Sequence, residues 1–301
     1  MGTAKTEGER WAEELLAALR RDRFTPAAWI RFFGASVDRA RENRAGHAGA
    51  HRQVLVLGAG GLATWSAVAA FGRPVLGAGG AAWWLLVLLM ADWHLGMLER
   101  PDGSRLRGLG VANTLTLLRA GAIPLLPALA PTALALAIVG AGLSDVADGF
   151  LARSRGQTSR FGAWGDGAAD GLLLSVAAAT AADQALLPGW VAALVVGRYL
   201  APWVAIAGVY FATARAPRRE SHVSGRAPGA VVVVGLAMAG LGIPGATSVT
   251  LVGAVGGLAT FAATIGLAAT RARRARGRAE TAAPLPVGPR ASSPGTDGWS
   301  V

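Results

Sequence analysis

Eight apolar stretches, separated by short polar segments, run along most of the chain. They cover residues 53–72, 75–96, 111–130, 132–152, 162–182, 190–213, 228–243 and 247–270. Several approach the roughly 20 apolar residues that an α-helix needs to cross a bilayer. The pattern therefore predicts an all-α fold, a polytopic membrane helix bundle. The seventh stretch is short for a span.

The composition agrees with a lipid environment. Hydrophobic residues make up 52% of the chain and charged residues 16%, whereas soluble proteins contain roughly 25% charged residues. The chain has no cysteine, which excludes disulfides, thiolate metal sites and a cysteine nucleophile. The net charge is +11, but most arginines lie beside apolar stretches or in the tails. Contact with anionic membrane lipids therefore explains the charge better than a nucleic-acid partner.

The arginines also predict an orientation. If the N-terminus is cytosolic and the eight spans alternate, Arg73 is the only basic residue on the opposite face. This satisfies the positive-inside rule and predicts a multi-pass protein of the cell membrane with both termini in the cytosol. The first 50 residues have no apolar core of the length of a removable signal peptide. The cytosolic segments would hold Arg100, Arg105 and Arg107, then Arg153, Arg155 and Arg160, then Arg215, Arg218, Arg219 and Arg226, and finally Arg271, Arg273, Arg274, Arg276 and Arg278.

The segment before the first span has helical periodicity. Trp11, Leu15 and Leu19 share one helical face, and Thr25-Pro26 is a typical helix start. Two interpretations remain open. The segment forms either a pair of amphipathic helices on the cytosolic membrane surface or a helical extension packed against the cytosolic loops.

Four aspartates lie in or beside two consecutive apolar stretches. Asp145 and Asp148 are three residues apart, and Asp166 and Asp170 are four apart, so each pair shares one helical face. The connection near Gly156 is short, which predicts antiparallel helices whose acidic faces converge. Carboxylates at this depth need a cation or a hydrogen-bonded partner. An all-oxygen donor set fits a hard divalent ion such as Mg²⁺ or Mn²⁺.

Small residues accompany the acids at fixed offsets. Gly149 follows Asp148, and Ala152 and Gly162 lie one turn from the carboxylates along the two predicted helices. These positions leave room for a flat ligand against the backbone. The guanidinium of Arg153 can donate to a phosphate. Together these features indicate a nucleotide diphosphate.

The motif as a whole resembles the signature of the CDP-alcohol phosphotransferase (CDP-alcohol phosphatidyltransferase) family. A second run is similar to the first core helix of that family, although Ala112 replaces the usual proline. The resemblance covers about residues 111–270. The two runs are Asp145-x2-Asp148-Gly149-x2-Ala152-Arg153-x8-Gly162-x3-Asp166-x3-Asp170 and Asn113-x2-Thr116-x2-Arg119.

The resemblance implies a domain organisation. It predicts a six-helix family core, preceded by two additional transmembrane helices, and a homodimer. The corresponding segments are a cytosolic extension at 1–50, the two additional helices at 51–100, the core at 101–272 and a disordered cytosolic tail at 273–301.

The resemblance also implies roles for individual residues. Two divalent metal ions, Mg²⁺ or Mn²⁺, would bind to Asp145, Asp148, Asp166 and Asp170. Asp170 would be the catalytic base that takes the proton of an acceptor hydroxyl, and CMP would leave. The cytidine diphosphate of a CDP-activated lipid or alcohol would be held by Asn113, Thr116, Gly149, Ala152, Arg153 and Gly162.

The acceptor is less sharply indicated. Arg198 lies in the middle of the sixth apolar stretch, where its family counterpart lies in the acceptor pocket and a phosphate on the acceptor would pair with it. Arg155 and Arg160 resemble members that join CDP-diacylglycerol to inositol phosphate, although both also fit ordinary loop charges. Gly167 and Gly171 depart from residues that are frequent in relatives.

The expected activity is transfer of a phosphatidyl-type group from CDP-diacylglycerol to a polyol, such as inositol phosphate or glycerol phosphate. One alternative uses a small CDP-alcohol with diacylglycerol as acceptor. An alternative of another class is a cation transporter or ion-binding membrane protein.

Several other polar or small residues are predicted to be structural. They are the interfacial polar pair Asp92 and His94, the lone His222, the packing glycines in Gly58-x-Gly60-Gly61 and Gly77-x-Gly79-Gly80, and the interface anchors Trp83, Trp84 and Trp93. Metal binding by Asp92 and His94 is the alternative for that pair, but residues two apart on a helix face different ways.

Overall fold

The computed structural model describes residues 6–100, 102–214 and 226–281. The described residues are 84% helical and contain no strand, which confirms the predicted all-α membrane bundle. The chain divides into two compact units, Met1–Leu258 and Ala259–Val301. In its described part, the second unit consists of the C-terminal portion of the last helix.

Ten α-helices follow one another through the described residues, most of them joined by short connections. They are α1 (Glu7–Arg21), α2 (Pro26–Gly46), α3 (Ala48–Ala70), α4 (Pro74–Trp93), α5 (Gly110–Gly121), α6 (Pro131–Ser154), α7 (Arg160–Asp183), α8 (Gly189–Thr213), α9 (Arg226–Gly240) and α10 (Ala246–Thr281). Two short 3-10 helices, Leu95–Met97 and Ile123–Ala128, lie between α4 and α5 and after α5.

Five helical segments in the described chain are long and apolar enough to cross a membrane. They are α3, α4, α6, α8 and the Ala246–Leu267 part of α10. The sequence predicted eight spans, so three segments differ from that prediction. The third predicted span is α5 followed by a 3-10 helix, because Pro124 and Pro127 lack the N–H groups that would continue an α-helix. The seventh, α9, has only 15 residues. The fifth, α7, has the length of a span but carries Asp166 and Asp170.

Two apolar clusters hold the helices together. The first joins the 3-10 helix after α5 to α6, α7, α8, α9 and α10. It includes Leu134, Ile138 and Val195, which are completely buried. The second joins α3 and α4 to the segment before α5, to α5 itself and to Phe161 of α7. The two N-terminal spans therefore pack directly on the helices of the predicted core.

Trp84 is the centre of the second cluster. Only 2% of its surface is exposed, and its indole Nε1 donates to the Leu57 carbonyl at 3.2 Å. The prediction that Trp84 anchors the protein at the membrane interface was wrong. Its ring lies against Gly61 of α3 and Gly121 of α5, where a Cβ atom would meet it. Trp83 and Trp93 also donate within the protein, to the Ala120 carbonyl and the Ser36 hydroxyl.

The predicted packing glycines are confirmed in part. A Cβ at Gly58 would contact Leu88, one at Gly77 would overlap Ala69, and one at Gly80 would overlap Trp65. Gly60 and Gly79, by contrast, have no neighbouring heavy atom within 4 Å of such a Cβ. The close approach of α3 to α4 therefore depends on Gly58, Gly77 and Gly80 but not on Gly60 or Gly79.

The N-terminal segment forms the two predicted helices. Thr6 and Glu9 make a capping box at the start of α1, and Thr25 caps α2. Arg39 of α2 binds Glu7 of α1 at 2.9 Å, and α1 contacts α8. These contacts favour the packed-extension interpretation.

The apolar face of α2 is only partly covered. Trp29 lies with its ring centroid 5.9 Å from that of Phe211 in α8. Ile30 and Phe33, by contrast, remain 74% and 54% exposed. The second interpretation, contact with the membrane surface, therefore still applies to this face of α2.

The C-terminal boundary differs from the prediction. The α10 helix continues to Thr281, beyond the predicted core boundary at residue 272, and residues 282–301 lie outside the described residues. The predicted cytosolic residues Arg215, Arg218 and Arg219, together with His222, also lie outside them.

Candidate active site

Three helices bring the predicted site residues together. The α5 helix contacts both α6 and α7, and α6 and α7 are joined by the short turn at residues 155–159. This turn reverses the chain and places the end of α6 beside the start of α7. Asp145 and Asp148 come from α6, and Asp166 and Asp170 come from α7.

The four carboxylates lie around one guanidinium, that of Arg119 on α5. Its Nη1 atom donates to Asp148 Oδ2 at 3.1 Å. The distances from its Nη2 atom are 3.4 Å to Asp145 Oδ1, 3.9 Å to Asp166 Oδ1 and 3.2 Å to Asp170 Oδ1. The four aspartates therefore converge, as their spacing predicted. The cation at their centre, Arg119, was not identified from that spacing.

The acids differ in their access to solvent. The Asp148 side chain is 2% exposed and the Arg119 side chain 4%. Asp170 and Asp145 are 34% and 44% exposed. Asp148 therefore forms the floor of the cluster, and the other carboxylates form its open side.

Arg119 is the functional residue that sequence reasoning missed. The sequence motif includes Arg119 as the last position of the run that begins at Asn113, but it assigns this residue no role. A signal was available, because Asn113, Thr116 and Arg119 are spaced three apart and so share one face of α5. An arginine on the same face as two polar residues, inside an apolar stretch, requires an acidic partner.

Thr116 ties α5 to both acidic helices. Its hydroxyl lies 2.5 Å from Asp166 Oδ1 and 3.4 Å from Asp148 Oδ2. The hydroxyl also lies 3.2 Å from the Ala112 carbonyl, and its shortest contact is with Asp166. Thr116 thus fixes the Asp166 carboxylate rather than standing free for a ligand.

Asn113 lies one turn before Thr116, against the start of α7. Its amide nitrogen donates to the Leu109 carbonyl at 2.7 Å. A Cβ atom at Gly162 would lie 2.7 Å from Asn113 Oδ1, closer than real Cβ contacts. The glycine is therefore required for the close approach of α5 and α7 at this point. Ser159 caps α7 by accepting from the Gly162 N–H at 3.0 Å.

The remaining predicted nucleotide residues lie on the last turns of α6. Gly149 and Ala152 are half-buried, and Arg153 is exposed. The Arg153 guanidinium folds back over Gly149, where a Cβ would lie 3.2 Å from Nη1. The structure thus brings Arg153 and Gly149 together on α6, and Gly162 and Asn113 together between α5 and α7.

The three predicted acceptor residues are in different surroundings. Arg198 is 8% exposed, and its guanidinium lies 4.4 Å from the centre of the Tyr199 ring. Arg155 is exposed in the turn after α6. The Arg160 guanidinium forms an ion pair with Glu9 of α1.

Arg198 is held in a slot between helices. A Cβ at Gly257 of α10 would overlap its side chain, and one at Gly229 of α9 would lie 3.4 Å from Nη2. Its neighbour Tyr199 packs against Gly171, 3.5 Å from the position of a Cβ there. Because Gly171 follows Asp170, the surroundings of Arg198 and the aspartate cluster contact neighbouring residues of α7.

Asp92 has a structural role. It is 8% exposed and accepts from Arg44 Nε at 2.5 Å and contacts His51 Nδ1 at 2.6 Å. Asp92 is therefore a buried ion-pair partner, and its predicted position at the membrane interface stays a prediction. His94 is exposed, and its Nδ1 contacts the Met90 carbonyl.

The donor chemistry of the aspartate cluster fits a hard divalent cation. All four groups are carboxylates, which Mg²⁺ and Mn²⁺ prefer, and Asp148 Oδ1 is buried with no hydrogen-bond partner in the described residues. One guanidinium cannot neutralise four carboxylates. In this arrangement, however, no group of three or more His, Asp or Glu side chains in the described chain is placed to share one ion, and the acids instead face Arg119.

A comparison with protein families agrees with this site. The model of the CDP-alcohol phosphatidyltransferase family matches residues 109–269, which include α5 and every residue of the aspartate cluster. The chain belongs to this family of membrane transferases, which move substituted phosphate groups from CDP-alcohols in phospholipid biosynthesis. The family is generally metal-dependent. No solved structure matches the chain.

Proposed function

We propose that the protein transfers a phosphatidyl group from CDP-diacylglycerol to a polyol phosphate, such as inositol phosphate or glycerol phosphate, and releases CMP. The observation that carries the proposal is the convergence of four aspartates on the Arg119 guanidinium, in a chain of this family. The open side of this cluster gives a ligand access to the carboxylates of Asp145, Asp166 and Asp170.

Asp170 is the proposed base. Its side chain is 34% exposed and is held by Arg119 at 3.2 Å, so the carboxylate is both oriented and accessible. The acceptor oxygen attacks the β-phosphorus, the bond from that phosphorus to the bridging oxygen breaks, and CMP leaves with the bridging oxygen. The hydroxyl proton passes to Asp170.

The four aspartates would hold two divalent ions, Mg²⁺ or Mn²⁺. When bound, these ions would neutralise the diphosphate and stabilise the departing CMP oxygen. To bind these ions, the carboxylates would have to rotate so that some of their oxygens no longer face Arg119. Arg119 then keeps the buried Asp148 oriented, and Thr116 keeps Asp166 in place.

The nucleotide pocket is proposed beside the cluster. Gly149, Ala152 and Gly162 leave the backbone of α6 and α7 open, and the Arg153 guanidinium can donate to the diphosphate. Asn113 and Thr116 close the pocket from α5. The contact between Gly162 and Asn113 supports this placement because it sets the spacing of the two helices.

Arg198 is proposed to bind the acceptor phosphate. It lies on α8 next to Tyr199, which packs on the residue that follows Asp170. Arg155 and Arg160 would add positive charge, and Arg160 would have to open its ion pair with Glu9 to do so. A phosphorylated acceptor is therefore favoured over diacylglycerol, which has no charge for Arg198 to pair with.

The reaction is tested by CMP release from CDP-diacylglycerol. The full-length protein in detergent receives Mg²⁺ or Mn²⁺ and one acceptor at a time. Asp170→Asn should lower the rate by about 10² to 10⁴-fold, the usual contribution of a positioned base. Asp183→Asn is the matched control, because Asp183 is exposed at the far end of the same helix.

Two results would contradict the proposal. One is CMP release from small CDP-alcohols with diacylglycerol but none from CDP-diacylglycerol, which would reverse donor and acceptor. The other would come from Arg198→Ala. We expect this variant to raise the KM for phosphorylated acceptors selectively. An equal effect on phosphorylated and unphosphorylated acceptors would remove Arg198 from the acceptor site.

A further inference from the structure

A second cationic feature lies at the start of α5, apart from the aspartate cluster. It is a cavity of about 370 Å³, which we term the arginine cavity. None of the described residues that line it is acidic. Its charged lining is Arg100, Arg105, Arg107 and Arg155, and its polar lining includes Gln53 and Gln157.

These arginines are presented by an ordered segment. Residues 98–100 pair with residues 104–106 through hydrogen bonds from Arg100 N to Ser104 O at 2.8 Å and from Leu106 N to Leu98 O at 2.9 Å. The side chain of Arg100 then donates from Nε to the Gly156 carbonyl at 2.8 Å. The segment is thereby fixed to the turn between α6 and α7, which carries Arg155.

The positive charge of the cavity is only partly compensated, since Glu7 interacts electrostatically with Arg105 and Asp102 with Arg100. Within the described residues, Arg105, Arg107 and Arg155 form no ion pair with a carboxylate. Like charges held close together repel each other, so their gathering needs an anion as a counter-charge. This distinguishes the cavity from the site of Arg119, where four acids surround one arginine.

The cavity also includes a helix N-terminus. Gly110 begins α5 and lines the cavity, so the first N–H groups of the helix add a partial positive charge there. A Cβ at Gly110 would lie 2.6 Å from Gln157 Oε1. The glycine thus keeps the N-terminal turn close to the Gln157 amide, on the wall of the cavity.

We propose that the arginine cavity, which shares Arg155 with the proposed acceptor site, binds the phosphate group of an anionic ligand through residues other than the four aspartates. Guanidinium forks and helix N–H groups are the donors that phosphate oxygens prefer. The ligand is either the headgroup of an anionic membrane lipid or a water-soluble phosphate ester. This goes beyond the proposed reaction, because Arg100, Arg105 and Arg107 lie outside the family match at 109–269.

The test uses the full-length protein in detergent with EDTA present, so that phosphate is not bound through divalent ions. Binding is followed by the shift of the unfolding temperature with two probes. One is inorganic phosphate, and the other is phosphatidylglycerol in mixed micelles, with phosphatidylcholine as the neutral comparison. Arg105→Gln/Arg107→Gln is the test variant. Arg41→Gln/Arg52→Gln is its control, since both arginines are exposed and outside the cavity.

The test variant should bind about tenfold or more weakly, since it loses two charge-assisted donors, while the control binds as the wild type does. Binding of phosphate identifies a soluble ester as the ligand class, and binding of phosphatidylglycerol alone identifies a lipid headgroup. Equal binding by both variants, or no binding of either probe by the wild type, overturns the proposal. Asp170→Asn should bind both probes normally, so loss of activity and loss of this site are separable.

Discussion

The Nη1 atom of Arg119 lies 3.1 Å from Oδ2 of Asp148, and both side chains are almost completely buried. A buried carboxylate that loses its cation is left uncompensated in a medium of low polarity. Arg119→Leu should therefore lower the free energy of unfolding by about 3–5 kcal/mol. Chemical or thermal unfolding of the detergent-solubilised protein measures this.

Two further variants separate charge from packing at Arg119. Arg52→Leu removes an exposed arginine and should leave the stability within about 0.5 kcal/mol of the wild type. Adding Asp148→Asn to Arg119→Leu removes the uncompensated charge and should restore part of the lost stability. If the double variant is as unstable as Arg119→Leu alone, loss of packing is the cause and the electrostatic explanation fails.

The contact of Trp84 with two helices predicts a sharp difference between neighbouring glycines. A Cβ at Gly61 would overlap the Trp84 indole, whereas one at Gly60 meets no atom within 4 Å. Gly61→Ala should destabilise the protein by about 1–3 kcal/mol through overpacking. Gly60→Ala should be neutral or stabilising by up to about 1 kcal/mol, since alanine favours helix. Equal effects in unfolding experiments would show that Trp84 moves aside.

Gly162 predicts a selective loss of nucleotide binding. In Gly162→Ala, the new Cβ atom would lie 2.7 Å from Asn113 Oδ1. This overlap would separate α5 from α7 beside the proposed cytidine pocket. The KM for the CDP-donor should rise several-fold, with a smaller change in kcat. The control is Gly165→Ala on the same helix, whose Cβ would lie 3.8 Å from Thr116, an ordinary contact. A KM that is unchanged by Gly162→Ala would remove Asn113 from the pocket.

The docking of α1 on α2 should depend on pH. Hydrogen bonding to Arg39 lowers the pKa of Glu7 below its ordinary value of 4.5, so the folded state binds this proton more weakly than the unfolded state does. The contribution of the pair is complete above pH 4.5 and is lost as the pH falls through the lowered pKa. Hydrogen exchange of α1 amides should therefore accelerate, relative to the intrinsic rate, at acidic pH. Glu7→Gln should remove this dependence, and its persistence in that variant would assign it to another group.

The sequence alone determined the fold class and the core of the site. Long apolar stretches with few charges predict helices in lipid, because the backbone groups of each segment must then be hydrogen-bonded within it. Five of the eight predicted spans are long and apolar enough to cross a membrane. The three-residue and four-residue spacings of Asp145, Asp148, Asp166 and Asp170 placed each pair on one helical face. These are local properties, set by helix geometry and by the cost of burying charge.

Other features depended on contacts between segments far apart in the chain, which periodicity does not encode. The end of α5 is an exception, because Pro124 and Pro127 are local signals that limit the α-helix within the apolar stretch 111–130. Tryptophan is typical of membrane interfaces, yet Trp84 lies in the middle of α4 and is enclosed because Gly61 and Gly121 leave space for it. Asp92 became a buried ion pair because α2 and α3 bring Arg44 and His51 to it.

The aspartate cluster shows both contributions. Its carboxylates and their helical faces could be predicted because each pair lies within one helix. Its cation could not, since Arg119 reaches Asp145 across 26 residues of chain and Asp148 across 29. The sequence determined which side chains carry the charge. Only the packing of α5 against α6 and α7 decided that one buried guanidinium holds all four acids, because an ion pair between helices depends on how the helices pack.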